Sequence, residues 1–555
     1  MSSSTKMTRK TKRPYELTGR LNATSARNTR SVPAKQSGHA ASEKKMKNWM
    51  WISGMAMAFA AFQLAGFNPT ANAQLANPAA GFKDPTAAAE SESSETAVKS
   101  SNLAAVGSSS IEVDPSGAKV SSRVPAPVKP AEVQSQTWNW HMQSTIIGQG
   151  HPTYSAKYSG ANSLPTAGQA RETVSLDLFG GYRLWHGAEF HADLLTWQGF
   201  GLHGTLGIDD FTNGEAYKIG VRYPHSDIAR FFIRQTIGFG GEKEAVPSDQ
   251  LTLAGEQPAT RLTFTVGRYS VKDIFDSNAY ANDPRKQFMN WALVGDATWD
   301  YPADALGYTT GISAEWEKPK WALRYGFFQL TKQQNGFTAE DQFLMWPGES
   351  SAGDDRFFHD WGMVVEGERR YSIGTHPGVV RPLAFVNQGE FGSYKAALSV
   401  PGADISKTYA NRHTFGFGLN AEQEITKNIG VFSRVGWNDG HNEAWMYTDI
   451  NHSGSLGVSV KGDAWGRSGD TAGLAAVMSG ISKVNQQYLM AGGAGILDGD
   501  GNLNYGMERA LETYYDHTFP RQIHWTLDYQ FVANPAFNRD RGSVSVFGTR
   551  IHWEF

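Results

Sequence analysis

Glu366 and Glu368 are two carboxylates two positions apart, and a pair of carboxylates is what glycoside hydrolysis requires. Residues i and i+2 of a strand share a face at a spacing of about 7 Å, so any alternating strand places such a pair side by side. The sequence contains no HExxH, GxSxG or phosphate-binding-loop motif. We therefore predict no catalytic residues and no enzyme activity, and a hydrolase acting on glycans is the alternative from the enzyme class.

Three side chains with oxygen atoms in the stretch LDGDGN resemble the start of a calcium-binding loop. Asp498, Asp500 and Asn502 occupy its first, third and fifth positions. Such a loop requires Gly at position six and Glu at position twelve, and here these positions hold Leu503 and Arg509. We interpret the stretch as a surface turn and predict no metal site.

Composition excludes several other chemistries. The 555 residues include no cysteine, which removes thiolate catalysis and cysteine-type zinc sites. His441 and His452 lie in a stretch rich in Gly, Asn and Asp, and we interpret both as loop histidines. The net charge is only −3, so no strong field recruits nucleic acid. We expect no cofactor and no nucleic-acid partner.

The N-terminal part of the chain has the pattern of an export signal. Three lysines within 44–47 precede the apolar run WMWISGMAMAFAAFQLAGF, and the small-residue site Ala71-Asn72-Ala73 follows it. This order is typical of a secretory signal peptide, here 46–73, whereas an uncleaved membrane anchor is the alternative. Residues 1–45 form a basic, Ser/Thr-rich extension, and either Met1 or Met46 is the start. Residues 74–137 are rich in Ala, Ser and Pro, and we expect a flexible segment of low complexity.

From residue 138 onwards, short stretches alternate between apolar and polar residues and are separated by Gly, Pro, Asn and Asp. A strand points successive side chains to opposite faces, so each stretch predicts a strand with one apolar and one polar face. Clear examples are RFFIRQTIGF, GISAEWEKPKWALRYGFF, HTFGFGLNAEQ, IGVFSRVGW and QIHWTLDYQF. Repeated alternation of this kind predicts an all-β sandwich or barrel, and a secreted glycan-binding β-sandwich is one alternative.

The C-terminal stretch RGSVSVFGTRIHWEF favours a barrel in a membrane. Phe547, Ile551, Trp553 and Phe555 fall on one face, with ionisable groups such as Arg550 on the other. The stretches are about ten residues long, which a tilted membrane strand requires, and Trp and Tyr gather near their ends. Backbone groups in lipid must pair within the protein, so a spanning sheet has to close. We predict a transmembrane antiparallel β-barrel over 138–555.

Several long runs resemble the carbohydrate-selective porin family, often called OprB-type. They are VGRYSVKDIFDSNAYANDPRKQFMNWAL, YPADALGYTTGISAEWEKPKWALRYG, GVFSRVGWNDG, DTAGLAAVMSGISKVNQQYLMAGGAGILDGDG and DYQFVANPAFNRDRGSVSVFGTRIHWEF. The resemblance implies a barrel of about 16 strands in the bacterial outer membrane, with loops folded inward, through which mono- or oligosaccharides diffuse passively. Related porins are often trimeric, so a homotrimer is one expected assembly. A C-terminal strand that ends in Phe resembles the signal read by outer-membrane assembly machinery, and lipid and lipopolysaccharide are the surrounding partners.

Charged residues on the polar faces are the candidates for lining the pore. Arg and carboxylate side chains offer directional hydrogen bonds to sugar hydroxyls, and opposed charges on facing walls would set a field across the constriction. Each such residue also has a simpler interpretation, as a solvated charge paired with another wall residue. The candidates are Arg230, Arg234, Glu315, Arg324, Glu366, Glu422, Arg434, Asp528 and Arg550, and the assembly signal comprises Ile551, Trp553 and Phe555.

One stretch has a helical pattern. In AGLAAVMSGISKVNQQYLMAGG, residues Leu474, Val477, Met478, Ile481, Val484 and Leu489 lie near helical spacing, with Gly-rich turns on both sides. This predicts one helix of about 18 residues. It would lie across the barrel end or inside the barrel as a partial plug, or pack as an ordinary loop helix.

Overall fold

A computed structural model describes residues 135–216, 220–335 and 358–555. The N-terminal extension and the signal peptide predicted for 1–45 and 46–73 lie outside the described residues, as does nearly all of 74–137. Eighteen strands are present in the described ranges. They are β1 (Trp138–His151), β2 (Gln169–Trp185), β3 (Ala188–Gly199), β4 (Val221–Gly238), β5 (Lys243–Val246), β6 (Gly255–Pro258), β7 (Arg261–Tyr269), β8 (Thr309–Lys318), β9 (Trp321–Gln329), β10 (Trp361–Ile373), β11 (His376–Phe391), β12 (Ala410–Thr426), β13 (Ile429–Asn438), β14 (His452–Lys461), β15 (Thr471–Gly480), β16 (Glu508–Phe519), β17 (Ile523–Ala533) and β18 (Val544–Glu554).

Sixteen of these strands form a closed antiparallel barrel, and β5 and β6 form a separate hairpin. The barrel closes between β1 and β18, where Ile146 pairs with Ile551. One residue beyond β18, the backbone N–H of Phe555 donates to the carbonyl of Met142 at 2.8 Å, and the Met142 N–H donates back at 3.1 Å. Every strand of the barrel is therefore paired on both sides, which is the condition for spanning lipid. The predicted fold class is confirmed.

The two faces of each strand differ as the alternation predicts. On β18, the side chains of Phe547 and Ile551 are 57% and 49% exposed on the outside, whereas those of Arg550 and His552 are fully buried inside. On β13, Val435 lies outside and Arg434 inside. The barrel is thus apolar outside and polar inside, the reverse of a soluble protein core.

The two ends of the barrel differ in the length of their connections. At one end, pairing of Lys318 with Trp321 and of Ile373 with His376 leaves two-residue turns, the second containing Gly374 at a φ of 63°. At the other end, long segments connect the strands, among them 270–308 and 481–507. Short turns and long loops at opposite ends are typical of outer-membrane barrels. We call these ends the short-turn end and the long-loop end.

Three short α-helices lie in the described long segments, and single turns of 3-10 helix accompany them. The α-helices are α1 (Trp291–Val294), α2 (Tyr394–Ala397) and α3 (Lys483–Met490), and the 3-10 turns are Leu202–Thr205, Val271–Asp273, Pro401–Ala403, Ile405–Lys407, Gly462–Trp465 and Pro535–Phe537. In the described part of the chain, no helix is long and apolar enough to cross a membrane.

The predicted helix of about 18 residues is wrong in its first half. Residues 471–480 form β15, with Leu474 and Met478 exposed on the outer face and Val477 buried on the inner face. The helix α3 is confined to residues 483–490. Alternating and helical spacings overlap in this short apolar stretch, and its pairing with β14 and β16 selects the strand.

Inside the barrel, the segment 270–308 packs against the inner wall. The ring of Phe288 lies 5.5 Å from that of Phe432 and 4.9 Å from that of Tyr514, and Phe275 contacts Phe328 in the same way at 6.1 Å. The side chains of all five residues are at most 3% exposed. This segment is one of the inward-folded loops that the resemblance implies, and it narrows the lumen.

Candidate functional site

The inward segment 270–308 is held by charged side chains of the barrel wall. Arg434 on β13 donates from Nε to Asp276 Oδ1 at 2.9 Å and from Nη1 to the Leu293 carbonyl at 2.9 Å. Glu366 on β10 accepts from the backbone N–H of Asp276 at 2.6 Å. Asp276 has a φ of 54°, a left-handed conformation that is uncommon for residues other than Gly. The wall contacts therefore hold the segment in a locally unfavourable backbone geometry.

Further anchors lie on strands farther round the barrel. Glu512 on β16 accepts from the backbone N–H groups of Met289 at 2.5 Å and Asn290 at 3.0 Å. Arg550 on β18 donates to the carbonyls of Pro284 at 2.6 Å and Gln287 at 2.8 Å. Because the anchors come from β10, β13, β16 and β18, the segment is fixed across the lumen rather than along one wall.

A cavity of about 270 Å³ remains beside the inward segment. Part of its lining is aromatic. The ring of Trp291 lies 4.8 Å from that of Tyr447 and 5.1 Å from that of Phe211, and Tyr301 lies 4.4 Å from Tyr447. These residues come from three different long segments, which the inward folding brings together.

The lining of the same cavity also contains ion pairs. Arg230 on β4 donates from Nε and Nη2 to the two carboxylate oxygens of Asp273, both at 2.8 Å, and from Nη1 to Asp193 at 2.6 Å. Nε of Arg285 lies 2.9 Å from a carboxylate oxygen of Glu215. These positive and negative groups bring both hydrogen-bond donors and acceptors to the cavity lining.

The short-turn end of the lumen is partly covered by a second inward segment, 239–260, which contains β5 and β6. Asn139 on β1 donates to the carbonyls of Asp249 at 3.1 Å and Thr252 at 2.8 Å. Gln250 and Leu251 reach the cavity and form part of its lining. The lumen is therefore narrowed from both ends.

Of the nine predicted pore-lining residues, Arg230 lines this cavity. The others lie on the polar side of the wall and contact protein groups. Arg434, Glu366 and Arg550 hold the inward segment as described, and Glu422 accepts from the Ala279 N–H at 2.6 Å. The remaining contacts are Arg324 with Glu315 at 3.2 Å, Arg234 with the Leu251 carbonyl at 2.7 Å, and Asp528 with Gln530 at 3.0 Å. A direct role for these residues in permeation stays a prediction.

The paired carboxylates Glu366 and Glu368 share the wet face, as expected. Both accept from Nη1 of Arg324, at 2.9 and 3.0 Å. Arg381 also donates to Glu368 at 2.9 Å. The two carboxylates belong to an ion-pair network of the barrel wall, in which arginines balance their charges.

Two sequence interpretations need correction. Asp498 is not in a surface turn, because its side chain is fully buried close to Asp209 and Asp449. His441 lies in a loop with 73% of its side chain exposed, but His452 is the first residue of β14 and pairs with Trp437. Long-range packing of the loops explains the first difference, and pairing of β14 with β13 explains the second. Local spacing reports neither.

Sequence reasoning missed the aromatic residues of the cavity lining. Trp291, Tyr301 and Tyr447 lie outside alternating strands, so the search for wet strand faces passed over them. The sequence did contain a signal for a functional loop here, because 270–308 is long, is rich in Trp and Tyr, and does not alternate between apolar and polar residues.

Asp296 lies in the cavity lining, and only one of its two carboxylate oxygens accepts hydrogen bonds from the described residues. Its Oδ1 accepts from the N–H and hydroxyl of Thr298 at 3.0 and 2.8 Å, whereas its buried Oδ2 has no hydrogen-bond partner among the described residues. Burial, together with the nearby carboxylate of Asp276, raises the pKa of Asp296 to about 7. Asp296 therefore gains its negative charge as the pH rises through neutrality.

We expect the ion selectivity of the channel to depend on pH through this group. Between pH 6 and 8 the wild-type channel should become more cation-selective, because Asp296 ionises, and Asp296→Asn should remove most of that change. Reversal potentials in a salt gradient measure it. Asp404→Asn, at an exposed loop carboxylate, is the control and should leave the pH dependence intact. A pH dependence unchanged in Asp296→Asn would contradict the assignment.

A closed barrel of sixteen antiparallel strands, narrowed by inward segments around a polar and aromatic cavity, defines the chain as a porin. The model of the carbohydrate-selective porin family, OprB, matches residues 161–555, and the chain belongs to this family. The resemblance of the sequence to this family is thus confirmed.

Relatives and solved structures agree with this assignment. The chain is 22% identical over 317 residues to Porin AaxA of Chlamydia abortus, covering 55% of the chain and 56% of the relative. It is 21% identical over 302 residues to Porin AaxA of Chlamydia trachomatis serovar D, covering 54% of each. The chain thus spans about half the length of these curated relatives. The high-pH structure of Pseudomonas putida OprB superposes with a TM-score of 0.55 at 14% identity, over 76% of this chain and 94% of that one, and shows the shared fold.

Proposed function

We propose that this porin lies in the bacterial outer membrane and lets mono- or oligosaccharides diffuse passively along their concentration gradient. The observation that carries the proposal is the mixed lining of the cavity, which combines the rings of Trp291, Tyr301 and Tyr447 with ion pairs made by Arg230 and Arg285. Pyranose rings have apolar C–H faces that stack on aromatic rings and hydroxyl edges that bond to charged groups. A cavity with both features suits sugars better than simple ions or apolar solutes.

Membership in the carbohydrate-selective family supports the same substrate class. The apolar outer face supports a location in lipid, with side chains such as Phe417, Leu456 and Phe547 more than half exposed. Export through 46–73, a flexible segment over 74–137, lipopolysaccharide around the barrel and a homotrimeric assembly belong to the same proposal.

The proposed transport involves no chemical step. The cavity carboxylates Asp273 and Glu215 bind arginines, so they act as fixed hydrogen-bonding groups. Turnover of a sugar panel by the purified protein would instead favour the hydrolase, and a chain that stays soluble without detergent would favour the secreted β-sandwich.

The test is single-channel conductance in a planar bilayer with a series of sugars added to one side. We expect reversible, concentration-dependent block by sugars that enter the cavity. Trp291→Ala should weaken this block by about tenfold, because an aromatic stacking contact contributes on the order of 1 kcal/mol or more. Tyr223→Ala, at a side chain 75% exposed, is the matched aromatic control and should leave the block unchanged. Conductance indifferent to every sugar would refute the proposed selectivity.

A further inference from the structure

Three carboxylates from three long segments meet at the long-loop end. Asp209 follows β3, Asp449 follows β13 and Asp498 follows β15. One oxygen of each lies within 4.8 Å of those of the other two. The side chains of all three are at most 1% exposed. Three carboxylates so close together and so deeply buried repel one another unless something neutralises them.

The carboxylate of Asp498 is unpartnered in a way that points to a ligand. Both of its oxygens are buried and accept no hydrogen bond within the described ranges, and the same holds for Oδ1 of Asp209. No lysine, arginine or histidine of the described chain forms an ion pair with either residue. Burying an ionised carboxylate without a partner is costly, so these oxygens require a cation or a proton.

Nearby buried carboxylates show how the fold otherwise satisfies such groups. Glu508 is as deeply buried, and its oxygens accept from the backbone N–H groups of Asp210 at 2.7 Å, Asp209 at 3.2 Å and Ala536 at 2.5 Å. Asp498 lies in the same region, and neither of its side-chain oxygens accepts such a hydrogen bond from the residues that the structure describes. The difference indicates that its oxygens are kept for another partner.

Three hydrogen bonds orient the other two members of the cluster. Asp449 accepts from the hydroxyl of Tyr394 at 3.1 Å and from the Ile496 N–H at 3.0 Å. Oδ2 of Asp209 accepts from the Asp449 N–H at 3.0 Å, which leaves its Oδ1 open. The three residues are therefore positioned by the surrounding segments.

We propose that Asp209, Asp449 and Asp498 form a binding site for a divalent cation, with calcium as the best match. Calcium binds carboxylate oxygens at about 2.3–2.6 Å, so ligands on opposite sides of one ion lie about 4.6–5.2 Å apart. All three oxygens lie within 4.8 Å of one another, so one calcium ion can bridge them. Magnesium usually keeps several waters and binds only one or two carboxylates, so three converging carboxylates favour calcium. The ion would cross-link the segments after β3, β13 and β15. This site does not depend on which solute passes through the pore.

The experiment uses the full-length barrel in detergent, stripped with EDTA and titrated with CaCl₂ in a calorimeter. We expect saturable binding of one ion per chain and a rise in the unfolding temperature. Asp498→Asn should weaken calcium binding at least tenfold, and Asp209→Asn is the second variant if the first does not fold. Asp500→Asn, a half-buried carboxylate in the same segment outside the cluster, is the control and should bind calcium like the wild type.

A reversal of relative stability separates cation binding from a merely structural role. In EDTA, Asp498→Asn should unfold at a higher temperature than the wild type, because the substitution removes electrostatic repulsion. In calcium the order should reverse, because the variant cannot gain the stabilisation that a bound ion gives. Absence of saturable calcium binding by the wild type would overturn the proposal, as would equal loss of binding in Asp500→Asn.

Discussion

Replacing Arg434 by methionine is expected to release the inward segment and to raise the single-channel conductance about twofold or more. Arg434 makes three hydrogen bonds to the segment, one to the Asp276 carboxylate, one to the Asp276 carbonyl and one to the Leu293 carbonyl. Burial by itself raises the pKa of Asp276, yet Arg434 and Lys272 hold it well below its usual range. The substitution therefore leaves the buried carboxylate of Asp276 with the charge of Lys272 but without that of Arg434.

The energetic effect of this change is large. Breaking a buried ion pair from one side costs about 3–5 kcal/mol. The left-handed backbone of Asp276 stores a further 1–3 kcal/mol by a rough estimate, and this strain would favour release once the contact is lost. We expect the segment to leave its position against the wall while the strand pairing of the barrel persists.

Two measurements check this prediction. Planar-bilayer recordings give the conductance, and heat-modifiable migration on gels shows that the barrel is intact. Arg412→Met is the matched control, because Arg412 donates to the carbonyls of Phe391 and Thr408 and not to the inward segment. An intact Arg434→Met barrel with wild-type conductance would mean that the segment does not set the pore size.

The second large effect is expected at the C-terminus. Phe555→Asp, or deletion of Phe555, should reduce the amount of heat-modifiable barrel in the membrane by more than tenfold. The Phe555 ring is 61% exposed at the short-turn rim and lies 5.0 Å from that of Trp140. Its backbone pairs with Met142 where the barrel closes. We propose that this residue serves both recognition by the assembly machinery and closure.

Phe519→Asp is the control for the Phe555 variants. It shows how far a charge at the rim of the barrel reduces assembly by itself. Phe519 ends β16, and its side chain is 41% exposed at the same end of the barrel. We expect the Phe519 variant to assemble at a reduced but substantial level, as judged from membrane fractions. Normal levels of assembled barrel in the Phe555 variants would contradict the role given to the terminal residue.

The strands and the closed barrel followed from local pattern, because contact with lipid on one side and water on the other imposes alternation on consecutive residues. Val435 and Arg434 illustrate this, as do Ile551 and Arg550. The pattern failed at β15, where Leu474 and Met478 fit both a strand and a helix, and only pairing with neighbouring strands decides between them.

The contacts of the candidate site could be predicted from the sequence less well than the strands. Arg434 was identified as a residue of the wet face, but its partner Asp276 lies 158 positions away, and no local rule connects the two. Asp209 and Asp449 are 240 positions apart and meet only through the folding of long loops. Charged residues that appeared to face water instead bind protein groups, because the inward segments fill the space that an empty barrel would leave to solvent.

The hairpin of β5 and β6 is separate from the sheet that faces lipid. The tip that reaches the cavity, with Gln250 and Leu251, is held by side chains such as Asn139 and Arg234 without contributing a strand to the wall. The hairpin that contributes to the cavity lining and the sheet that forms the barrel wall are therefore distinct parts of one chain. Substitutions at this tip, by drift or by engineering, would change the lining of the cavity without altering the strand pairing of the membrane-embedded cylinder.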